Sequence, residues 1–364
     1  MIASDKHSLP FLLQLFILCL LCFIARVEPA TKNVSALYVF GDSTVDPGNN
    51  NYIDSVFKGN FPPYGRDFAN QVPTGRFTNG KLATDFIASY VGLKQENLPP
   101  YLYPILSNEE LMTGVSFASA GSGFDPLTPT LSNVIPLSKQ LEYFKDCKKR
   151  LESVLGKQGT ENHMEKAVFL ISAGTNDFVL NYFTLPIRRK SYTLFNYQHF
   201  LTQQVQEFIQ GLWEEGARKI AVSGLPPMGC LPMMITFNPN NTYLERGCID
   251  KYSSISRDFN LMLQQELHLM QLNSSYYGAK IYYIDIYEPL TDMIQGHGRL
   301  EFEDVDSGCC GTGYIEATFL CNKLSYVCPD PSKYVFWDSI HPTEKAYHNL
   351  FMSARSTIDF IINN

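Results

Sequence analysis

The sequence predicts an α/β fold in which helices cover both faces of a mainly parallel, five-stranded sheet. Short, almost continuously apolar segments alternate along the chain with longer segments of helical periodicity. Continuous apolar runs are typical of strands buried on both faces, and strands that alternate with helices form parallel sheets with right-handed crossovers. The length of 364 residues, of which 45% are hydrophobic, is sufficient for one large core.

The elements are predicted in the following order. Strands are expected at 36–40, 114–118, 167–171, 219–222 and 280–286. Helices are expected at 137–155, 195–213 and 255–270, where apolar residues recur every three or four positions. Gly156 and Gly216 follow the first two helices and are typical of helix ends.

Two long segments, 46–80 and 296–334, interrupt this alternation. They are rich in Asn, Pro, Gly and aromatic or Cys residues, and each is too long for a simple connection. We expect them to form loops at the carboxyl ends of the strands, where they would build the walls of a cleft. A small second domain is the alternative, although no linker supports it.

The first 30 residues are expected to be a secretory signal peptide. Lys6 and His7 precede a long apolar run at 9–25, and cleavage would follow Ala25 or Ala30. Residues 31–364 would then form a single domain. An uncleaved anchor is the alternative. Because no later segment is apolar for long enough to span a bilayer, we expect a secreted protein, extracellular or in the cell wall, with no stable membrane anchor.

Secretion would place the cysteines after the signal in an oxidising compartment. We expect Cys230 to pair with Cys248, and four crowded cysteines to pair among themselves, which are Cys309, Cys310, Cys321 and Cys328. Cys147 would remain free. A zinc site is the alternative, but the cluster lacks C-x-x-C spacing. Three sequons, at Asn33, Asn240 and Asn273, are expected glycosylation sites.

Charge argues against a nucleic-acid partner. The chain has 29 Lys and Arg against 36 Asp and Glu, a net charge of −7, and no long basic run. Contacts to phosphate dominate the affinity of proteins for nucleic acids. We therefore expect no nucleic-acid binding.

Ser43 is the first candidate for chemistry. It follows the first predicted strand in Phe40-Gly41-Asp42-Ser43, where Gly41 permits a tight turn. A serine becomes a nucleophile only when a base takes its proton. A simple turn at a strand exit would also explain the tripeptide. The chain contains no Gly-x-Ser-x-Gly, which argues against the nucleophile elbow of the α/β-hydrolase fold.

Asp338 and His341 are the second candidates. They are three residues apart and directly precede a predicted helix that begins near Pro342. Asp338 would orient one ring nitrogen of His341 and leave the other to act as a base. A capping aspartate beside a surface histidine is the alternative. Of the seven histidines, His341 is the best base candidate by elimination.

Two further strand exits offer donors for a developing negative charge. The segment 115–123 ends on Gly121 and Gly123, and the segment 169–177 contains Asn176. Acyl transfer needs such preorganised N–H groups. A glycine turn and an Asn-Asp helix cap are the alternatives. The joint occurrence of Ser, Gly, Asn and Asp-x-x-His is far more specific than any one of them.

These blocks resemble the SGNH, or GDSL, hydrolase superfamily. Further segments resemble the plant GDSL esterase/lipases, near their extracellular-lipase-like group, and lie at 74–80, 225–230, 309–313 and 334–338. The resemblance covers nearly all of the chain after the signal. It implies a three-layer α/β/α, flavodoxin-like fold and a secreted serine esterase or lipase without cofactor or metal. The substrate would be a small-molecule, lipid or polysaccharide ester.

The resemblance also implies roles for five residues. Ser43 would be the nucleophile, His341 the base and Asp338 its orienting partner. The oxyanion hole would consist of the N–H groups of Ser43 and Gly121 and the side-chain amide of Asn176. Thr44 replaces the leucine that gives the family its name, and we expect little effect on the chemistry. An acyltransferase with the same acyl-enzyme, or a catalytically idle lipid- or wall-binding protein, are the alternatives.

Overall fold

A parallel sheet of four regular strands forms the centre of the fold. The computed structural model describes residues 34–94, 97–238, 246–273, 278–296 and 302–363. Strands β1 (Leu37–Gly41), β2 (Val168–Ser172), β3 (Lys219–Ser223) and β4 (Lys280–Ile284) lie side by side in that order. Nearly every residue of β1, β2 and β3 is buried, as expected for strands covered on both faces. The α/β prediction is confirmed.

The fifth predicted strand, at 114–118, is irregular. This segment runs along the free edge of β1 and pairs with it at a single bridge, between Val39 and Ser116. The backbone amides of Val39 and Phe117 donate across this edge, but the amide of Gly41, the next ladder donor of β1, donates to the side chain of Gln140 at 2.9 Å. Because a side chain takes this donor, the regular ladder is interrupted. Within the described residues the central sheet therefore has four regular strands, not five.

Helices pack on both faces of the sheet and give three layers. The α-helices are α1 (Ala83–Tyr90), α2 (Asn108–Thr113), α3 (Thr128–Ser132), α4 (Leu137–Lys166), α5 (Leu194–Glu214), α6 (Pro232–Thr236), α7 (Asp250–Leu272), α8 (Tyr287–Gln295) and α9 (Glu344–Asn363). Alternate residues of a strand point to opposite faces. Tyr38 and Phe40 accordingly pack with α4, α5 and α7, whereas Leu37 and Val39 pack with α1 and α9.

The helix predicted to end at Gly156 is instead broken there. Gly156 has a φ of 70°, which is outside the helical range, and a second helical stretch continues to the end of α4. A positive φ is accessible to glycine at little cost. The sequence therefore located the break correctly but missed the helical turns beyond it. Helices α5 and α7 confirm the other two helix predictions.

The predicted cysteine pairing is confirmed. The structure joins Cys230 to Cys248, joins the four crowded cysteines as Cys309–Cys328 and Cys310–Cys321, and leaves Cys147 as a buried free thiol.

A two-stranded parallel sheet flanks the disulfide-closed segment 309–328. It consists of β5 (Asp304–Gly308) and β6 (Tyr334–Phe336). The amides of Cys309 and Cys310 donate to the carbonyl groups of Phe336 and Trp337, at 3.0 and 2.9 Å. The segment 309–328 is thus fastened to the stretch of chain that leads to Asp338.

The N-terminal prediction falls outside the description. Residues 1–33, which include the predicted signal peptide and Asn33, are not among the described residues, and neither is Asn240. From Val34 to Asn364 the chain forms one compact unit. None of the helices in the described ranges combines the length and the hydropathy that a bilayer crossing requires.

A buried ion pair fixes the first long loop, 46–80, to α1. The guanidinium of Arg76 donates to both carboxylate oxygens of Asp85, at 2.8 and 2.7 Å. The two side chains are 4% and 0% exposed. Arg76 also donates to the carbonyl groups of Pro47 and Leu98. One cation therefore connects the two ends of the loop to the helix that follows it.

We expect Asp85→Ala to reduce the free energy of unfolding by about 3–5 kcal/mol, because the buried guanidinium would lose its counter-charge. Urea unfolding with the disulfides intact measures the effect. The matched variant Glu142→Ala removes an exposed pair with Lys139 and should cost less than about 1 kcal/mol. Equal, small losses in the two variants would contradict this account.

Candidate active site

Ser43, His341 and Asp338 form a continuous chain of hydrogen bonds. Nε2 of His341 lies 2.8 Å from Oγ of Ser43. Nδ1 of His341 lies 2.9 and 2.8 Å from the two carboxylate oxygens of Asp338. The three residues are only 7%, 3% and 0% exposed. With the proton on Nδ1, Nε2 accepts the hydrogen bond of the serine hydroxyl and is placed to take its proton.

Asp338 is held by donors on every side. Its Oδ1 accepts the backbone N–H groups of Ile340 and His341, at 2.9 and 2.8 Å. Its Oδ2 accepts the hydroxyl of Tyr64 at 2.8 Å. Burial, and then the charge of Asp338, raise the pKa of Tyr64 well above its usual value, so the phenol keeps its proton and donates. Sequence reasoning missed Tyr64, whose only signal was its position in the predicted cleft wall.

An aromatic wall packs against the ring of His341. The ring of Phe77 lies 5.0 Å from the imidazole, measured between centroids. Phe77 in turn contacts Tyr64, which also packs against Trp337. The amide of Trp337 donates to the carbonyl oxygen of His341 at 2.7 Å. The imidazole is therefore fixed both by its hydrogen bonds and by the packing of its neighbours.

Three donor groups lie at the same edge of the sheet. Ser43 and Asn176 follow β1 and β2, which pair in register from Leu37 with Val168 to Gly41 with Ser172. Across the described part of the chain, the backbone N–H groups of Ser43 and Gly121 have no acceptor. The side-chain amide of Asn176 donates to the carbonyl oxygen of Ser122 at 2.9 Å. An amide nitrogen carries two hydrogens, so one remains for a further acceptor.

The two glycines of the segment 115–123 have different surroundings. Gly121 has a φ of 88°, a conformation that favours glycine. A side chain on Gly123 would collide with the carboxylate of Asp177. That carboxylate accepts the backbone N–H groups of Phe124 and Asp125, at 2.8 and 3.2 Å. Gly123 thus permits the close approach of Asp177, whereas Gly121 has the backbone conformation that favours glycine.

Asp177 joins the glycine segment to the π-helix that begins at Asp177 and ends at Thr184. Its carboxylate also accepts the hydroxyl of Thr128 at 2.5 Å. Burial raises the pKa of Asp177 to about 8, although these hydrogen bonds act in the opposite direction. Asn176 directly precedes Asp177 and is the N-cap residue of this helix.

Two side chains of the first long loop hold Ala120, the residue before Gly121, by its N–H and its C=O groups. The carboxylate of Asp46 accepts the amide of Ala120 at 3.0 Å, and also the amides of Gly48 and Asn49. The side chain of Asn50 donates to the carbonyl oxygen of Ala120 at 2.9 Å. In the sequence these residues have the composition of an ordinary turn. Their role in placing Gly121 depends on contacts about 70 residues apart.

No metal-ligand cluster accompanies this arrangement in the described ranges, where no group of three or more His, Cys, Asp or Glu side chains is suitably placed for an ion.

Of the predicted glycosylation sites, Asn273 lies exposed just after α7.

Asp42 and Thr44 link the turn after β1 to the end of β2. The carboxylate of Asp42 accepts the amide and the hydroxyl of Thr44, at 3.0 and 2.8 Å. The hydroxyl of Thr44 also lies 2.9 Å from that of Ser172. Thr44 therefore makes polar contacts that the leucine it replaces would lack. Burial raises the pKa of Asp42 from 3.8 to about 6, against the opposing hydrogen bonds.

Asp42→Asn should weaken the dependence of the free energy of unfolding on pH between pH 4 and 6. The folded wild type holds the Asp42 proton more tightly than the unfolded chain, so this contribution is complete below about pH 4 and is lost as the pH rises through 6. In the wild type it should lower the free energy of unfolding by roughly 3 kcal/mol over this range. Urea unfolding across that range measures it, with Asp146→Asn, at an exposed site, as the control. An unchanged slope for Asp42→Asn would refute the assignment.

Comparison with known proteins identifies the family of this chain. Residues 37–354 match the family model described as GDSL-like lipase/acylhydrolase. The chain is 59% identical over 341 residues to GDSL esterase/lipase At5g45960 of Arabidopsis thaliana, which covers 93% of this chain and 91% of that protein. GDSL esterase/lipase At1g06990 of the same plant is 43% identical over 345 residues, or 94% of this chain and 95% of that protein.

A weaker likeness, with a TM-score of 0.39 and 14% identity, relates the chain to the solved structure of the lipase Lip_vut3 from a goat rumen metagenome, over 88% of this chain and 96% of that one. The family match and the two plant relatives confirm the predicted resemblance to plant GDSL esterase/lipases. The chain belongs to the GDSL-like lipase/acylhydrolase family.

Proposed function

We propose that this chain, a carboxylic ester hydrolase by its family, is a secreted serine esterase or lipase that acts through Ser43, His341 and Asp338. The observation that carries the proposal is the unbroken series of hydrogen bonds from the hydroxyl of Ser43 through the imidazole to the buried carboxylate. A serine, a histidine and an aspartate in this arrangement are sufficient for nucleophilic attack on an acyl group.

Acylation would begin when Oγ of Ser43 attacks the ester carbonyl carbon. Nε2 of His341 takes the hydroxyl proton, and Asp338 stabilises the imidazolium through its bond to Nδ1. The carbonyl oxygen becomes an oxyanion that accepts hydrogen bonds from the amides of Ser43 and Gly121 and the side chain of Asn176. As the intermediate collapses, His341 gives its proton to the leaving alcohol, and the acyl group remains on Ser43.

Deacylation would repeat these steps with water. His341 takes a proton from the water as it attacks the acyl-enzyme, the same donors hold the second oxyanion, and Ser43 is released with its proton restored. The carboxylic acid then leaves. Every proton is moved by side chains of this chain, so the proposed reaction needs no cofactor.

We also propose that the protein matures by cleavage, export and glycosylation. A signal peptide at 1–30 would be cleaved after Ala25 or Ala30, and the domain at 31–364 would be exported. Three disulfides are compatible with an oxidising compartment. Asn33, Asn240 and Asn273 would be glycosylated. The net charge of −7 fits an ester of a lipid, a polysaccharide or a small molecule better than a nucleic acid as partner.

Ser43→Ala should reduce the hydrolysis of p-nitrophenyl butyrate at least about 10³-fold, since the base would lose its nucleophile. Labelling by a fluorophosphonate probe should disappear, while the thermal unfolding temperature stays close to that of the wild type. Ser89→Ala, at an exposed serine of α1, is the control and should behave as the wild type. Undiminished turnover by Ser43→Ala would overturn the proposed mechanism.

Asn176→Ala should reduce kcat roughly 10²–10³-fold with little change in KM, because a donor to the oxyanion is used mainly in the transition state. Steady-state kinetics with p-nitrophenyl butyrate separates the two parameters. The control is Asn162→Ala, at an exposed position of α4. A normal kcat in Asn176→Ala would remove this residue from the oxyanion hole and leave the assignment of Ser43 intact.

A further inference from the structure

One hydroxyl connects the first long loop to the proposed catalytic pair. The phenol of Tyr64 donates to Oδ2 of Asp338 at 2.8 Å, and the same oxygen lies 2.8 Å from Nδ1 of His341. The other hydrogen-bond donors to Asp338 are backbone N–H groups of the turn to which it belongs. Among the described residues, Tyr64 is therefore the donor to this carboxylate that comes from outside the turn.

The ring of Tyr64 is held independently of its hydroxyl. It is 1% exposed. Its centroid lies 5.7, 5.6 and 6.4 Å from those of Phe61, Phe77 and Trp337. Replacement by phenylalanine would keep these ring contacts and remove only the hydroxyl. The effect of the hydroxyl can therefore be measured separately from that of the packing.

The disulfide-closed segment 309–328 orients the hydrogen of this hydroxyl. Thr318, which lies in this segment, has a φ of 50°. Such a conformation is costly for a β-branched residue and persists only where the surrounding structure maintains it. The backbone N–H of Thr318 is a hydrogen-bond donor to the phenol oxygen of Tyr64. Because a hydroxyl has a single hydrogen, that hydrogen is left for Asp338.

The hydrogen bond from Tyr64 draws charge from the carboxylate. A carboxylate that accepts more hydrogen bonds is a weaker base, so Asp338 then stabilises the imidazolium of His341 less. The two residues bind their first proton as a coupled pair, and a donor to the carboxylate weakens that binding wherever the proton resides. Without the hydroxyl of Tyr64, the pair would be protonated at higher pH and would lose its free base there.

Two further ionisable groups lie near the pair. Asp42, in the turn after β1, interacts electrostatically with His341, and its pKa is raised by burial to about 6. Tyr347 of α9 lies close to Asp42 and Asp338. Burial raises the pKa of Tyr347 well above its usual value, so its phenol stays uncharged. Asp42 is common to the wild type and to any variant at position 64, so a difference between the two reports the hydroxyl of Tyr64.

We propose that Tyr64 is a positioning residue of the triad, whose hydroxyl holds Asp338 towards His341 and weakens proton binding by that pair, so that His341 remains a free base at lower pH. The proposal rests on the proposed function. Tyr64 acts through Asp338 and not on the reacting atoms. The segment 309–328 takes part through the N–H of Thr318.

Tyr64→Phe tests the proposal through the pH dependence of kcat/KM for p-nitrophenyl butyrate, which reports the protonation of the free enzyme. The acid limb should move to higher pH by about 0.5–1 unit, because only part of a charge-assisted hydrogen bond is lost when the pair is protonated. Tyr38→Phe is the matched control. Its hydroxyl also belongs to a buried side chain and donates to the carbonyl oxygen of Leu111 at 3.0 Å, and its removal should lower stability without moving the acid limb.

Incorporation of 3-fluorotyrosine at position 64 gives an opposite test in which the hydroxyl is kept. The fluorinated phenol is more acidic and therefore a stronger donor, so the acid limb should move to lower pH. This variant keeps the proposal testable should Tyr64→Phe fail to fold. An acid limb that stays at the wild-type position with the stronger donor would contradict the proposal.

An NMR titration of the imidazole of His341, assigned by its absence in His341→Gln, follows the same proton without turnover. Its midpoint should move with the acid limb. If the midpoint and the acid limb of Tyr64→Phe both equal those of the wild type, the role of Tyr64 is purely structural and the proposal is overturned. A shifted midpoint in a chain that hydrolyses no ester would instead overturn the proposed function, and would confirm that Tyr64 controls proton binding by the pair.

Discussion

The carboxylate of Asp338 is completely buried, and the geometry around it depends on how its charge is compensated. A buried carboxylate is tolerated only where donors replace the lost water. Tyr64 reaches it from the first long loop, and His341 reaches it from the turn before α9. Satisfying one carboxylate therefore brings together segments 274 residues apart in sequence. The imidazole is placed towards Ser43 as a consequence.

Short motifs in the sequence were sufficient to predict the residues that meet at this edge. Ser43 and Asn176 follow neighbouring strands of the central sheet, and the carboxyl ends of parallel strands share one edge. The Asp338–His341 pair was marked by its own spacing, since it follows β6 in the separate two-stranded sheet. Tyr64 and Asp46 were not predictable in the same way. Tyr64 is one of 21 tyrosines in an aromatic-rich chain, and Asp46 belongs to a turn-forming stretch. Their partners come from elsewhere in the chain, so no local pattern marks them.

The α/β architecture was predictable because burial on both faces leaves a strong apolar signal, but the strand count was not. The segment 114–118 has the composition of a strand, yet the side chain of Gln140 takes the Gly41 amide of the neighbouring strand. Local composition contains no information about such a competitor. Gly156 is a second example. In the sequence, a glycine that interrupts a helix cannot be distinguished from one that ends it, because the difference depends on how the residues after it pack.

The hydrogen bond between Ser43 and His341 joins residues 298 positions apart. A contact of such separation closes a very long loop of chain, and the entropy of that closure must be overcome before the contact can form. On the ribosome the serine emerges 298 residues ahead of the histidine, so it is without its base until that stretch of chain has been made. Their meeting therefore requires every element from β2 to β6 to be synthesised first.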